Sequence, residues 1–74
     1  MKDGDKIKCL VDVDNVFGDK LFIKGNIYEI VKCHQYSGPE ISSEYGIVHN
    51  DVTEVNGKLY YTMTEFVNKC FEIC

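Results

Sequence analysis

The stretch that most constrains this chain is Leu21 to Cys33, LFIKGNIYEIVKC, where an apolar approach meets a Lys24-Gly25-Asn26 reversal and leaves it as a dense apolar run. Glycine permits a sharp turn that a residue bearing Cβ resists. From Ile27 to Cys33 apolar side chains fall on both faces, Tyr28 and Ile30 on one, Ile27, Val31 and Cys33 on the other. Such a pattern predicts a central, strongly curved strand buried on two sides. The remaining elements must therefore supply strands to pair with it and a cover for its inner face.

Upstream, Ile7, Cys9, Val11 and Val13 alternate with Lys8, Leu10 and Asp12, the period-two signal of a half-buried first strand. Asp14 to Lys20 then collects Asp, Asn and Gly, which favour turns through local side-chain bonds or positive φ. Phe17 in its middle is expected to fold back onto the core. Downstream, His34 to Glu44 holds the lone proline, a Ser-Gly-Pro step and two further serines, and reads as an exposed binding loop.

Tyr45 to Val48 starts a third strand, with a bulge at His49-Asn50-Asp51 before it continues over Val52 to Val55. Asn56-Gly57 tolerates positive φ at both positions and predicts a type I′ hairpin, with Lys58 to Tyr61 pairing back. Thr62 and Glu65 have capping-box spacing, so a short helix or 3₁₀ segment follows from Met63 to about Lys69 and buries Phe66. Phe71 and Ile73 form a last strand. The predicted architecture is all-β, a small five-stranded SH3-like barrel with a helical turn before the last strand, an OB-like barrel being the alternative.

At 74 residues there is room for one domain, spanning residues 1–74. A chain of this length buries roughly 60% of its unfolded surface, which disfavours a deep, water-excluding cleft. Twelve acidic residues face eight lysines without a single Arg, for a net charge of −4. That balance repels phosphate backbones and removes the side chain best suited to bidentate phosphate contacts, so direct nucleic-acid binding is not expected. No window reaches the roughly 18 apolar residues of a membrane span and the N-terminus lacks a signal-peptide core, so a cytoplasmic location is expected, with the cysteines reduced. Lysine in place of arginine throughout, with abundant Asn, Ile and Tyr, suggests an AT-rich coding sequence from a low-GC bacterium or its phage.

The segments KIKCL, FIKGNIYEIVKC, YGIVHND and YYTMTEFVNKCFEI together resemble the small SH3-like proteins of phages and prophages of low-GC Gram-positive bacteria. Extra residues at Val52 to Val55 and a longer stretch after Phe66 depart from that pattern. The resemblance carries no shared activity. It implies the barrel and, with small size and acidity, a non-enzymatic protein-binding module that acts stoichiometrically on a host protein, in its most specific form an inhibitor of a bacterial defence system.

Cys70 and Cys74, four apart, are the cysteine pair able to share a helix face and hold zinc, yet no Cys-x-x-Cys occurs, and buried reduced thiols are the expected state. No cofactor is expected. Asp12, Asp14 and Asn15 imitate the start of a calcium loop, but Phe17 and Ile23 occupy the positions that need Gly and Glu. A Cys-His nucleophile lacks a third supporting group.

Partner contacts are expected from Asp14, Phe17, Asp19, Tyr36, Glu40, Glu44, Tyr45 and Tyr60, in the loops beside the central strand and on tyrosines suited to interfaces. One or two of the tyrosines must complete the core instead. An acidic face directed at a host protein's basic, nucleic-acid-binding surface would dock by complementary charge. The alternatives are a nucleic-acid-associated module using Lys2, Lys6, Lys8 and Lys24, and a small structural zinc protein. Composition does not fix the oligomeric state.

Overall fold

The computed structural model describes residues 1–49 and 53–74. Strands dominate: β1 (Lys6–Cys9), β2 (Val13–Asp14), β3 (Lys20–Phe22), β4 (Ile27–His34), β5 (Gly38–Ser43), β6 (Gly46–Val48), β7 (Thr53–Val55), β8 (Lys58–Tyr60) and β9 (Phe71–Ile73), with one helix, α1 (Met63–Cys70). Five strands form an antiparallel sheet in the order β6-β5-β4-β1-β9, flanked by the hairpins β2-β3 and β7-β8. Among the described residues the sheet does not close into a barrel.

β4 is the middle strand, as expected, but it is buried on one face. Tyr28 and Ile30 point inward, while Ile27 and Val31 are exposed on the solvent side. The pairing register with β5 slips between Ile30 and Lys32, and such a bulge bends a strand and sharpens its twist. The expected burial on both faces is not found, since Ile27 and Val31 are 53% and 43% exposed.

The exposed loop expected over His34 to Glu44 is instead a hairpin arm. After a turn at residues 35–37, Gly38–Ser43 pairs along β4, with Cys33 opposite Pro39 and Ile30 opposite Ile41. Gly38 and Pro39 are buried. A Cβ on Gly38 would lie 3.0 Å from Thr64 Oγ1 and 3.2 Å from Met63 Cβ. Glycine serves here for close approach of α1 to the strand, a second use of glycine in strands besides turns.

The expected first strand is also divided. β1 ends at Cys9, and Val13–Asp14 leaves the sheet to pair with β3. Leu10 N–H donates to Cys70 O and Cys9 N–H to Asn26 O, so the chain changes partners at that point.

Other local signals hold. Asn56 and Gly57 have φ of 51° and 84°, as a type I′ turn between β7 and β8 requires. Thr62 caps α1, its Oγ1 accepting from Glu65 N–H at 3.0 Å. The helix buries Met63, Phe66, Val67 and Cys70, spaced to share one face. Phe71 then enters β9, which pairs with β1. The bulge expected at His49-Asn50-Asp51 and the strand start at Val52 fall largely outside the described residues.

The core gathers Ile7, Val13, Phe22, Ile30, Ile41 and Phe66 beneath the sheet. Phe22 is its hub, meeting Tyr28 and Phe71 edge-on with centroids 4.9 Å and 5.1 Å away. Edge-to-face pairs add about 0.5–1.5 kcal/mol each beyond area burial. Because Phe22 ends β3, the β2-β3 hairpin is rooted in the core.

Candidate functional site: the β2-β3 hairpin

Val13 pairs with Phe22 and Asp14 with Lys20 across the hairpin. Beyond them the chain makes the shortest loop that a type I turn followed by a left-handed residue allows. Asn15 N–H donates to Asp19 O at 2.8 Å and Gly18 N–H to Asn15 O at 3.1 Å, with Gly18 at φ 87°. Asn15 Oδ1 also accepts from the N–H groups of Phe17 and Asp19, both at 2.9 Å. Asn at the first position and Gly at the fourth are the residues such a turn favours.

The two central positions of that turn belong to Val16 and Phe17. Their side chains point away from the hairpin and are 93% and 86% exposed. The expectation that Phe17 folds back onto the core is therefore overturned, because the closed turn holds it at the extremity. Val16 escaped the sequence reading, although the Asn-x-x-Gly spacing around it carries the signal.

Carboxylates surround the tip. Asp12 Oδ1 accepts from Lys24 N–H at 2.8 Å, and Lys20 Nζ lies 3.4 Å from Asp12 and 3.6 Å from Asp14. The Lys24 N–H bond, then the Lys20 ammonium, holds the Asp12 carboxyl below its ordinary range. The bond to Asp12 in turn raises Lys20. Asp14 and Asp19 are exposed. The Lys20 ammonium thus lies between two carboxylates, Asp12 and Asp14, Asp19 adds a third on the hairpin, and the tip presents an apolar pair in an acidic setting.

The other expected contact residues are dispersed. Tyr36 is 93% exposed in the β4-β5 turn and Tyr45 67% exposed in the β5-β6 turn. These turns lie at opposite ends of β5, a separation of roughly 20 Å for six residues at strand rise. Tyr45 shares an end with the hairpin, since Glu44 N–H donates to Leu21 O. Glu44 is structural as well, its carboxylate accepting from the Tyr28 hydroxyl at 2.6 Å while that hydroxyl accepts from Ile23 N–H at 2.7 Å. Burial, then Glu44, pushes the Tyr28 hydroxyl up. Tyr60 is 8% exposed and packs near Phe66, so it belongs to the core and presents no contact surface.

Glu40 contacts His34 Nε2, and the His34 and His49 rings lie 5.1 Å apart. The His34 contact holds the Glu40 carboxyl below its ordinary range. Among the described residues no three His, Cys, Asp or Glu side chains converge as a metal site. Cys70 and Cys74 do not share a helix face, because α1 ends at Cys70, which is buried, and Cys74 follows β9 in solvent. Of the four lysines considered for a basic patch, Lys6 is paired with Glu29 at 2.5 Å and Lys8 stands opposite Glu72. Among the described residues no helix is long and apolar enough to cross a membrane.

Comparison with protein families, curated proteins and solved structures returned no match.

Proposed function

We propose that the chain is a non-enzymatic protein-binding module encoded by a phage or other mobile element, acting stoichiometrically on a host protein. Inhibition of a bacterial defence system is its most specific form. The observation that carries the reading is the adjacent pair Val16 and Phe17 held 93% and 86% exposed at the extremity of a closed turn, with Tyr36 and Tyr45 exposed on two further turns, aromatic groups of the kind enriched at interfaces. The acidity of the chain supports the reading, as does the shallow, solvent-facing form of two grooves among the described residues, one over Lys6, Ile27 and Glu29 and one over Asp3, Cys33 and His34.

The same reading assigns the sheet to an open SH3-like barrel. Its support is connectivity: first and last strands are neighbours, β4, β5 and β6 form a meander, and a helix precedes the closing strand. A cytoplasmic site of action belongs to this proposal, since the partner is a host protein.

The test is capture by tagged protein from a lysate of a low-GC Gram-positive bacterium. One stoichiometric partner retained at about 0.15 M salt is expected. Recovery of none, at that salt or at about 0.05 M, counts against the reading, and a salt-dependent shift of DNA or RNA would transfer it to nucleic-acid binding.

A further inference from the structure

We infer that the β2-β3 hairpin is a docking peg, whose Val16 and Phe17 enter together an apolar pocket of the partner protein rimmed by Lys or Arg side chains. This rests on the protein-binding reading above and adds the contact and its chemistry.

The peg is built before any partner arrives. Asn15 fastens the turn through its backbone and its Oδ1, and Val13 and Phe22 fasten the base into the core. Little backbone freedom is left to lose on docking, and a phenylalanine ring loses few rotamers, so burial of the pair goes largely into affinity. Anchors of this kind, an aromatic group seated in a desolvated pocket, dominate binding energy in small interfaces.

Charge selects the occupant. Asp12, Asp14 and Asp19 flank the peg, with Lys20 shared between the first two. Asp19 makes no ion pair among the described residues. Such a collar is repelled by anionic lipid headgroups and by nucleic-acid phosphates, and is attracted to basic protein surfaces. A second copy is the less complementary occupant, because the groove over the sheet has Lys6 already paired with Glu29, with Glu44 beside them, and a groove at the N-terminus sets Asp3 against Lys2. A basic-rimmed pocket on another protein is left as the complementary surface.

The test compares the wild-type chain with V16S/F17S, with Y36S/Y45S and with D14N/D19N, using the lysate above and then the purified captured protein. Val16 and Phe17 are exposed, so V16S/F17S keeps the circular-dichroism spectrum and melting temperature of the wild type. The proposal expects that variant to bind about 30-fold more weakly or worse, as hot-spot truncation does. Y36S/Y45S should lose less, and D14N/D19N should associate more slowly with a weaker salt dependence. A photo-crosslinking phenylalanine analogue at position 17 should label one partner peptide carrying apolar residues beside Lys or Arg.

Equal binding by V16S/F17S overturns the peg while leaving the protein-binding reading intact. Crosslinking to a second copy, to lipid or to nucleic acid also overturns it. If the wild type captures no partner, the reading beneath it fails first.

Discussion

Gly38 and Gly18 both have φ of 87°, yet their surroundings differ. At Gly18 an added Cβ meets nothing within 4 Å, so Gly18→Ala bears backbone strain alone and is expected to lose about 1 kcal/mol. At Gly38 the same Cβ meets Thr64 and Met63, so Gly38→Ala adds overpacking and is expected to lose about 2–4 kcal/mol. Urea unfolding of both variants checks the order, and equal losses would show that α1 yields at no cost. The thiols differ by position in the same way. Burial pushes the Cys9 and Cys70 thiols up from their ordinary 9.0. An aromatic disulfide reagent should therefore modify exposed Cys74 first and half-buried Cys33 next, with Cys9 and Cys70 reacting only on unfolding. Fast labelling of all four would place the helix away from the sheet. What sequence conveyed at this scale was uneven. Ser37-Gly38-Pro39 has turn chemistry, and only a helix some 25 residues later in the chain makes the glycine a packing residue. Tyr60 and Tyr61 are alike as letters, yet Tyr60 ends β8 buried beside Phe66 while Tyr61, past the strand, is exposed.

Elements with a self-contained signal were legible. Asn56-Gly57 fixes its own turn, and Thr62 with Glu65 fixes the start of α1, because each device needs only bonds within a few residues. Thr62→Ala is accordingly expected to cost about 1 kcal/mol, seen as a lower urea midpoint with an unchanged denaturant slope. A changed slope would mean that β9 is lost with the cap. Elements that depend on distant pairing were not legible. β5 is a strand because β4 extends beside it, and its half-buried Ser42 and Ser43 end it beyond the buried Ile41, with Ser43 bonded to Gly46 and Tyr45 in the turn that follows. The break after Cys9 likewise answers Asn26 and Cys70, which the alternation of residues 7–13 does not contain. The hairpin tip falls between the two cases, with its turn written locally and the outward aim of Phe17 following from the closure of the loop.

Across the whole molecule the core is small and its members are mutually dependent. A domain of this size has roughly 4–11 kcal/mol of stability at 0.05–0.15 kcal/mol per residue. Phe22→Ala, at about 3–5 kcal/mol, is therefore expected to remove at least about a quarter of that stability and at most all of it, seen as a large fall in the urea midpoint. A midpoint shift equivalent to less than about 1 kcal/mol would place the hub elsewhere. Acid and base should bracket a plateau. Asp12, bonded by Lys24 N–H, and Glu40, bonded by His34, lie below their ordinary 3.8 and 4.5, so they contribute stability above those values and lose it as pH falls through the lowered ones. Tyr28, Cys9 and Cys70 are raised, mainly by burial, so their contribution is complete below about pH 9 and is lost above it. Melting temperatures measured from pH 3 to pH 11 should be flat between about 5 and 8.5 and fall on both sides. Because Asp12 and Glu40 are close to solvent, the acid limb should be the shallower and should flatten further in salt.

The contact between Gly38 and the first turn of α1 also makes a statement about descent. Positions 38 and 64 share one small volume, but the φ of 87° strains any side chain at 38 and Thr64 N and Met63 Cβ crowd it as well, so descent should hold the glycine while position 64 varies among small residues. A Thr64→Gly change should partly rescue Gly38→Ala, by the share of the loss that Thr64 Oγ1 causes. Glycine-proline inside a strand, followed some two dozen residues on by a threonine-capped helix, is then the trace by which distant kin could be found after general likeness has faded.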